Sequence, residues 1–317
     1  MTQMTQKANE GGDKHGSGDK LGSGDKPGSG DKPLGLSVST IAVLGAGTMG
    51  HGIAHAAIAA GYTTYLFDVS RTQLDRGAAG IEAIFQKSIE LGKLTPEDAQ
   101  EMRGRLRFSH AVEEAVRHAE LTIEAAPEKV EVKVNLLGEA EMSAPPHAVF
   151  ATNTSALSIT ELAAVLQDPS RLAGMHFFNP VHRMKLVEVV RALESAQTTI
   201  DTITAVATKM GKETVIVRES PGFVTSRINA MIGNEAFYML QEGVASAKDI
   251  DKALKLGLNH PMGPFELVDL VGLDTRLSIL QYLHRTLGEK FRPCPLLEQH
   301  VRAGRLGRKV GRGVYDY

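Results

Sequence analysis

Cysteine is almost missing from this chain of 317 residues. Cys294 is the single one, and no His or Cys stands near it at metal-ligand spacing. That excludes a disulfide framework and a zinc cluster, and it fits a reducing compartment. Cys294, just after Pro293, reads as a small semi-apolar residue. Long apolar runs are missing too; none approaches the roughly 18 residues of a membrane helix. The N-terminus lacks the apolar core of a secretory signal. It has no arginine before Arg71, which argues against a mitochondrial transit peptide. A cytoplasmic protein is expected. Nor is there an excess of charge: 35 Lys and Arg face 37 Asp and Glu, a formal net charge of −2. No global field gathers nucleic acid or an anionic membrane, so neither is expected as a partner.

What is present is ordinary globular composition, 42% hydrophobic and 23% charged, at a length that suggests two domains. Residues 1–36 stand apart. "GSGDK" occurs there three times, at 16–20, 22–26 and 28–32, among almost no apolar side chains, and five Lys balance five acids. Such a segment cannot offset its ordering entropy and is expected to be a disordered, linker-like tail. A tethering role and a functionless extension both remain open for it.

From Ser37 the texture changes. "STIAVLGAG" leads a series of strand-like runs at 63–68, 120–126, 147–153, 172–178, 185–190 and 213–218, with helical stretches such as 70–91 and 128–142 between several of them. This alternation implies βαβ units and a mostly parallel sheet over 37–218. Beyond 218 the strand signals stop. A helix is expected from Ser220 as N-cap and Pro221 as first residue to Gly243, with Ile228, Met231, Ile232, Met239 and Leu240 at helical spacing. Ser246 and Asp249 fit a capping box for a second, which Gly257 ends, and two more are expected near 274–287 and 295–303. The fold class is therefore an α/β Rossmann-type domain followed by an all-α domain at 219–317, whose apolar faces favour a dimer.

"GAGTMG" at 45–50 is G-x-G-x-x-G: Gly45, Ala46, Gly47, Thr48, Met49, Gly50. It follows a strand and opens an apolar helix. There the glycines serve the tight turn, the approach of a pyrophosphate and helix–strand packing, with the phosphates on the helix N-terminus. Asp68 ends the next strand, where an acid binds ribose hydroxyls and repels the 2′-phosphate of NADP. NAD is thus favoured, although Arg71 stands close by. His51 and His55, on the same helix, read as packing or surface residues.

"GMHFFNPVHRMKLVEVV" at 174–190 sets His176 in one apolar run and Glu188 in the next. If 172–178 and 185–190 pair as a hairpin centred on His182, His176 and Glu188 stand opposed, with Cβ atoms about 4.5–5.5 Å apart. The carboxylate would then take one imidazole N–H and leave the other nitrogen free to exchange a proton. A structural His–Glu pair fits the spacing as well; a dinucleotide site in the same chain gives a poised base its purpose. "ATNTSALS" at 151–158 places Asn153 and Ser155 at a strand end, within reach of a substrate oxygen, or else serving a helix cap, a task that suits Ser158 better. Lys133 reads either as a group for a phosphate or carbonyl or as a solvated lysine.

These motifs, with "NTSALSIT", "PGFV" and "NHPMGPFELVDLVGLD", run in order from 38 to 317 and resemble the 3-hydroxyacyl-CoA dehydrogenase family, most of all its bacterial single-function 3-hydroxybutyryl-CoA members. The resemblance implies reversible, NAD-dependent oxidation of (S)-3-hydroxyacyl-CoA to 3-oxoacyl-CoA. It implies a homodimer joined through the helical domain, and an acyl-CoA substrate. It makes His176 the catalytic histidine, Glu188 its partner and Ser155 the serine near the reacting oxygen. It sets Glu128, Lys133, Asn179 and Lys309 along the cofactor and substrate cleft. Lys309 lies in a basic run (Arg302, Arg305, Arg308, Lys309, Arg312) that could equally be solvated. One departure stands out. Members usually read "PGFxxNR", whereas this chain reads "PGFVTSR", so Ser226 holds the place of an active-site asparagine, with Asn229 one turn on as an alternative. A dehydrogenase of another β-hydroxy acid and a non-catalytic NAD-binding protein are the rival readings.

Overall fold

Residues 37–317 are described by this computed structural model; the expected tail at 1–36 lies outside them. Eight strands form one sheet in the order β3-β2-β1-β4-β5-β6-β7-β8. They are β1 (Thr40–Leu44), β2 (Thr63–Phe67), β3 (Leu106–Ser109), β4 (Leu121–Glu124), β5 (Val149–Thr152), β6 (Leu172–Phe177), β7 (Leu186–Arg191) and β8 (Glu213–Arg218). β1 to β6 pair in parallel, the order of a doubly wound nucleotide-binding sheet. β7 reverses against β6, and β8 runs parallel to β7. The helices among the strands are α1 (Thr48–Ala59), α2 (Arg71–Glu90), α3 (Pro96–Gly104), α4 (Val112–Val116), α5 (Val130–Ser143), α6 (Ile159–Ala163) and α7 (Gln197–Lys209). Strand residues of period two feed a core on each face. Val43, Ile123, Ala151, Met175 and Val189 face α1, α2 and α7; Leu44, Phe150, Leu172 and Val190 face α4, α5 and α6. Parallel strands covered on both faces have to read as continuous apolar runs, as these do. Strand β3, "LRFS", is half exposed and too short to show in the sequence.

The helical part holds α8 (Thr225–Gln241), α9 (Ala247–Gly257), α10 (Pro264–Val271), α11 (Leu273–Leu287) and α12 (Pro295–Arg302) around a core of Ala236, Phe237, Ile250, Phe265, Val268, Leu280 and Leu283. Cys294 is buried at the start of α12, and Ser246 caps α9 as expected. One expectation is corrected. The first helix of this part does not begin at Pro221 but at Thr225. Gly222 and Phe223 take positive φ (74° and 48°), so residues 221–224 turn instead of coiling. The helix starts where the Glu188 carboxylate, from β7, receives the amides of Val224 and Thr225.

His51 and His55 are packing residues on α1. The His51 ring bonds Gly47 O, and the His55 ring lies against Phe85 (centroids 5.2 Å apart) and near His182 (6.3 Å). Burial first, then the neighbouring His182, His51 and Lys212, lower the His55 pKa from 6.5 to about 4. The folded state therefore keeps this ring neutral, whereas the unfolded chain protonates it near 6.5. Its contribution to stability is present above pH 6.5 and is lost as pH falls towards 4. His55→Gln should flatten the loss of stability across that window, read from denaturant midpoints on either side of it. An unchanged slope would assign the acid sensitivity to other groups.

Candidate active site

The turn between β1 and α1 sits where the strand order reverses, between β1 and β4, the place at which open α/β sheets bind ligands. Gly45 has φ 112°, and a Cβ there would lie 2.6 Å from Ala125 O. A Cβ on Gly50 would lie 1.7 Å from Gly45 O. Between them, α1 opens at Thr48 with Gly47 as N-cap and no side chain on its first amides. That leaves N–H groups and the helix dipole for a pyrophosphate. Asp68 closes the cradle: its Oδ2 accepts from Ala46 N at 3.0 Å and its Oδ1 from Ser70 N at 2.9 Å. The residues thus fit a dinucleotide, with Asp68 held beside the turn by these two amides. Because the obstacle to a side chain at Gly50 is backbone, Gly50→Ala should displace the loop and weaken NADH binding at least tenfold (about 1.4 kcal/mol). A fluorescence titration with unchanged affinity would refute the cradle.

His176 and Glu188 are directly opposed in the β6–β7 register, as the hairpin arithmetic requires. The His176 Nδ1 lies 2.7 Å from Glu188 Oε2, and both side chains are buried. The imidazole is flanked by Phe178 (4.6 Å between centroids) and Phe223 (5.8 Å). Glu188 also accepts from Thr225 Oγ1 and N, both at 3.0 Å, and from Val224 N at 3.3 Å. Burial alone would raise its pKa; the bonds from His176 and Thr225 outweigh this and hold the carboxyl below its ordinary value. An ionised Glu188 can only accept, so the Nδ1 proton belongs to the imidazole and Nε2 is left for chemistry.

The loop after β5 is anchored beside this pair. Asn153 Oδ1 accepts from Phe177 N at 2.9 Å, tying the loop to the end of β6. Glu128 Oε1 gathers Thr154 Oγ1 (2.5 Å), Ser155 N (3.0 Å) and Ala156 N (3.3 Å), which fixes Ser155. Ser158 caps α6. Behind Glu128 stands Lys133. It is not a solvated lysine: it is buried, 2.8 and 2.9 Å from the two oxygens of Glu124, 3.1 Å from Ala126 O and 3.3 Å from Glu128 Oε2. Glu124 also takes Thr152 Oγ1 and Ala126 N, both at 2.6 Å. Sequence reasoning missed Glu124 and Thr225. An acid closing the apolar run "LTIEAA" was the available signal for the first; nothing local marks the second.

The other expected site residues make no hydrogen bond to His176 or Glu188 among the described residues. Asn179 is exposed in the β6–β7 loop, and Ser226 is half-buried in the first turn of α8. Asn229 lines a groove of about 380 Å³ with Val224, Thr225, Ile228, Ile232, His260 and Leu267; Thr225 joins it to Glu188, while His176 is not among its lining residues. Lys309 is paired with Asp274 at 2.6 Å, inside the helical part. The rest of the basic run is also engaged. Arg302 meets Glu298, Arg305 donates to Gly313 O, Arg308 lies over the Tyr317 ring and Arg312 meets Asp316.

A dinucleotide crevice on a doubly wound sheet, with an imidazole–carboxylate couple on its antiparallel extension and a helical unit behind it, defines a two-domain Rossmann-type dehydrogenase. The comparisons with known proteins say which kind. Residues 40–220 match the family model of the 3-hydroxyacyl-CoA dehydrogenase NAD binding domain, and residues 222–317 that of its C-terminal domain. A probable 3-hydroxybutyryl-CoA dehydrogenase of Bacillus subtilis is 45% identical over 283 residues, 89% of this chain and 98% of that protein. A 3-hydroxybutyryl-CoA dehydrogenase of Bradyrhizobium diazoefficiens is 42% identical over 88% of this chain and 96% of its own. The crystal structure of (S)-3-hydroxybutyryl-CoA dehydrogenase from Ralstonia eutropha superposes with a TM-score of 0.86 at 41% identity, covering 89% of this chain and 99% of that one. The chain belongs to the 3-hydroxyacyl-CoA dehydrogenase family, and NAD is its cofactor.

Proposed function

We propose that this enzyme interconverts (S)-3-hydroxybutyryl-CoA and acetoacetyl-CoA, with His176 as general base and acid. The observation that supports the roles is the 2.7 Å bond from His176 Nδ1 to the buried Glu188. Bound NAD supplies the hydride acceptor. Nε2 of His176 takes the proton of the 3-hydroxyl as C3 is oxidised and returns it to the developing alkoxide in the reverse direction. Glu188 holds the tautomer and stabilises the imidazolium. Ser155 donates to the substrate oxygen from the loop that Glu128 anchors. Gly45–Gly50 and Asp68 hold the pyrophosphate and ribose; Asn179 and Lys309 flank the cleft, and Ser226 takes the asparagine's place. We assign residues 37–218 to the NAD-binding domain and 219–317 to the substrate domain.

Two further assignments rest on the same reading. The helical part exposes Val224, Ile228, Leu256, Leu258 and Leu270, a surface that a second copy would cover in a homodimer. A reducing compartment, the cytoplasm, suits the one buried thiol. Among the described residues no helix is long and apolar enough to cross a membrane.

The deciding experiment follows NADH absorbance on addition of acetoacetyl-CoA, with NADPH and free acetoacetate in parallel. Fast oxidation of NADH that requires CoA is expected. Turnover of free acetoacetate alone would favour the rival β-hydroxy acid dehydrogenase, and no turnover with either nucleotide would favour a binding protein.

A further inference from the structure

Glu188 does more than face an imidazole. An ionised carboxylate offers about four acceptor sites, and here four donors reach it. His176 Nδ1 and Thr225 Oγ1 share Oε2, at 2.7 and 3.0 Å; Thr225 N and Val224 N share Oε1, at 3.0 and 3.3 Å. Three of the four come from the start of α8. The two amides are backbone and would be there with any side chain. The hydroxyl is a choice of side chain, since valine has nearly the same shape and no donor.

We propose that Thr225 is a positioning residue for the reaction, whose hydroxyl holds Glu188 by sharing the oxygen that accepts the Nδ1 proton and so sets how much of that oxygen's charge faces the imidazole. The inference rests on the reading of His176 as the base. A hydroxyl on Oε2 draws charge from the oxygen that stabilises the imidazolium, and without it that charge would fall on Nδ1 alone. The N-terminus of α8 meanwhile favours the ionised carboxylate. This leaves the proton between the two groups on the ring.

Other charges do not compete for this role. On β8 the neighbour of Glu188 is Val215, and the imidazole is flanked by Phe178 and Phe223. The charged groups on the surrounding segments make other contacts: Arg227, two residues after Thr225 on α8, donates to Ser220 Oγ at 3.3 Å and lies over the Phe291 ring. Glu128 holds the Ser155 loop, Glu219 takes Ser158 and Thr160, Arg191 donates to Ser195 O and Gln197, and Arg218 is exposed at the end of β8. None of them is bonded to His176 or Glu188 among the described residues.

The test is the pH profile of kcat/KM for full-length Thr225→Val in both directions, with NAD and 3-hydroxybutyryl-CoA and with NADH and acetoacetyl-CoA. Loss of the hydroxyl should move the His176-controlled limb to higher pH by about half a unit to one unit in both directions. Thr225→Ser, which keeps the hydroxyl, should put it back. Uniformly lower rates with the limb in place would overturn the proposal, because that is what a purely structural threonine gives. If the valine variant does not melt cooperatively, Thr225→Ala read against Thr225→Ser makes the same comparison. His176→Gln run alongside separates the two ideas. Full activity in that variant sinks the base assignment itself, whereas an inactive His176→Gln with an unmoved Thr225→Val limb sinks only the role of Thr225.

Discussion

His176→Gln should lower turnover by about 10²–10⁴-fold, the usual worth of a placed general base, while NADH binding stays essentially unchanged. The separation follows from the architecture. The cradle proposed for the dinucleotide is the β1–α1 turn with Asp68 just after β2, whereas His176 is on β6, three strands from β1. Glutamine can still offer its amide to Glu188 and fill part of the slot between Phe178 and Phe223, so the fold should survive. What it lacks is a nitrogen that takes and returns a proton near neutral pH. Single-turnover rates and a fluorescence titration of NADH on the same preparation settle the matter. Parallel loss of rate and of NADH affinity would mean that the imidazole supports the cofactor pocket and is not the base.

The pairing of His176 with Glu188 was legible because a hairpin has only two variables, its centre and its period. A period of two fixes which side chains share a face, and the apolar residues on either side of His182 fix the centre. The glycine cradle was legible for a similar reason: its constraints are local, a positive φ at Gly45 and a Cβ that cannot exist at Gly50. Features set by distant partners were not. The start of α8 is decided by a carboxylate 37 residues earlier, so local capping rules put it at Pro221 and were wrong. α10 did carry a local signal, Pro264 at its first position and Glu266 returning to Gly263 N, but its short span hid among the apolar residues of "FELVDLVGL".

Lys133 is the sharpest case of a role that no local pattern shows. "VEVKVNLL" reads as a helix whose lysine either meets a phosphate or carbonyl or is solvated. In fact the Lys133 ammonium is 1% exposed and lies against Glu124, which is 0% exposed. Its charge is what lets Glu124 stay buried as a carboxylate, and it supports Glu128 from behind. Lys133→Met removes the only cation within reach of either acid among the described residues' ion pairs, and leaves Glu124 with just Thr152 and the Ala126 amide. Breaking one side of a buried pair costs about 3–5 kcal/mol, and both groups are dry enough for that figure to apply without discount for solvent. The denaturant midpoint should fall accordingly, and turnover should fall with it as the Ser155 loop loosens. The double variant Glu124→Leu, Lys133→Met tells the two effects apart. With no uncompensated charge left, it should regain much of the lost stability, yet it should stay slow, because Glu128 still lacks the ammonium that steadies its grip on Thr154, Ser155 and Ala156. A double variant that recovers stability and turnover together would mean that Ser155 needs no such support. A single variant as stable as the parent would mean that the pair is not the buried charge that its geometry describes.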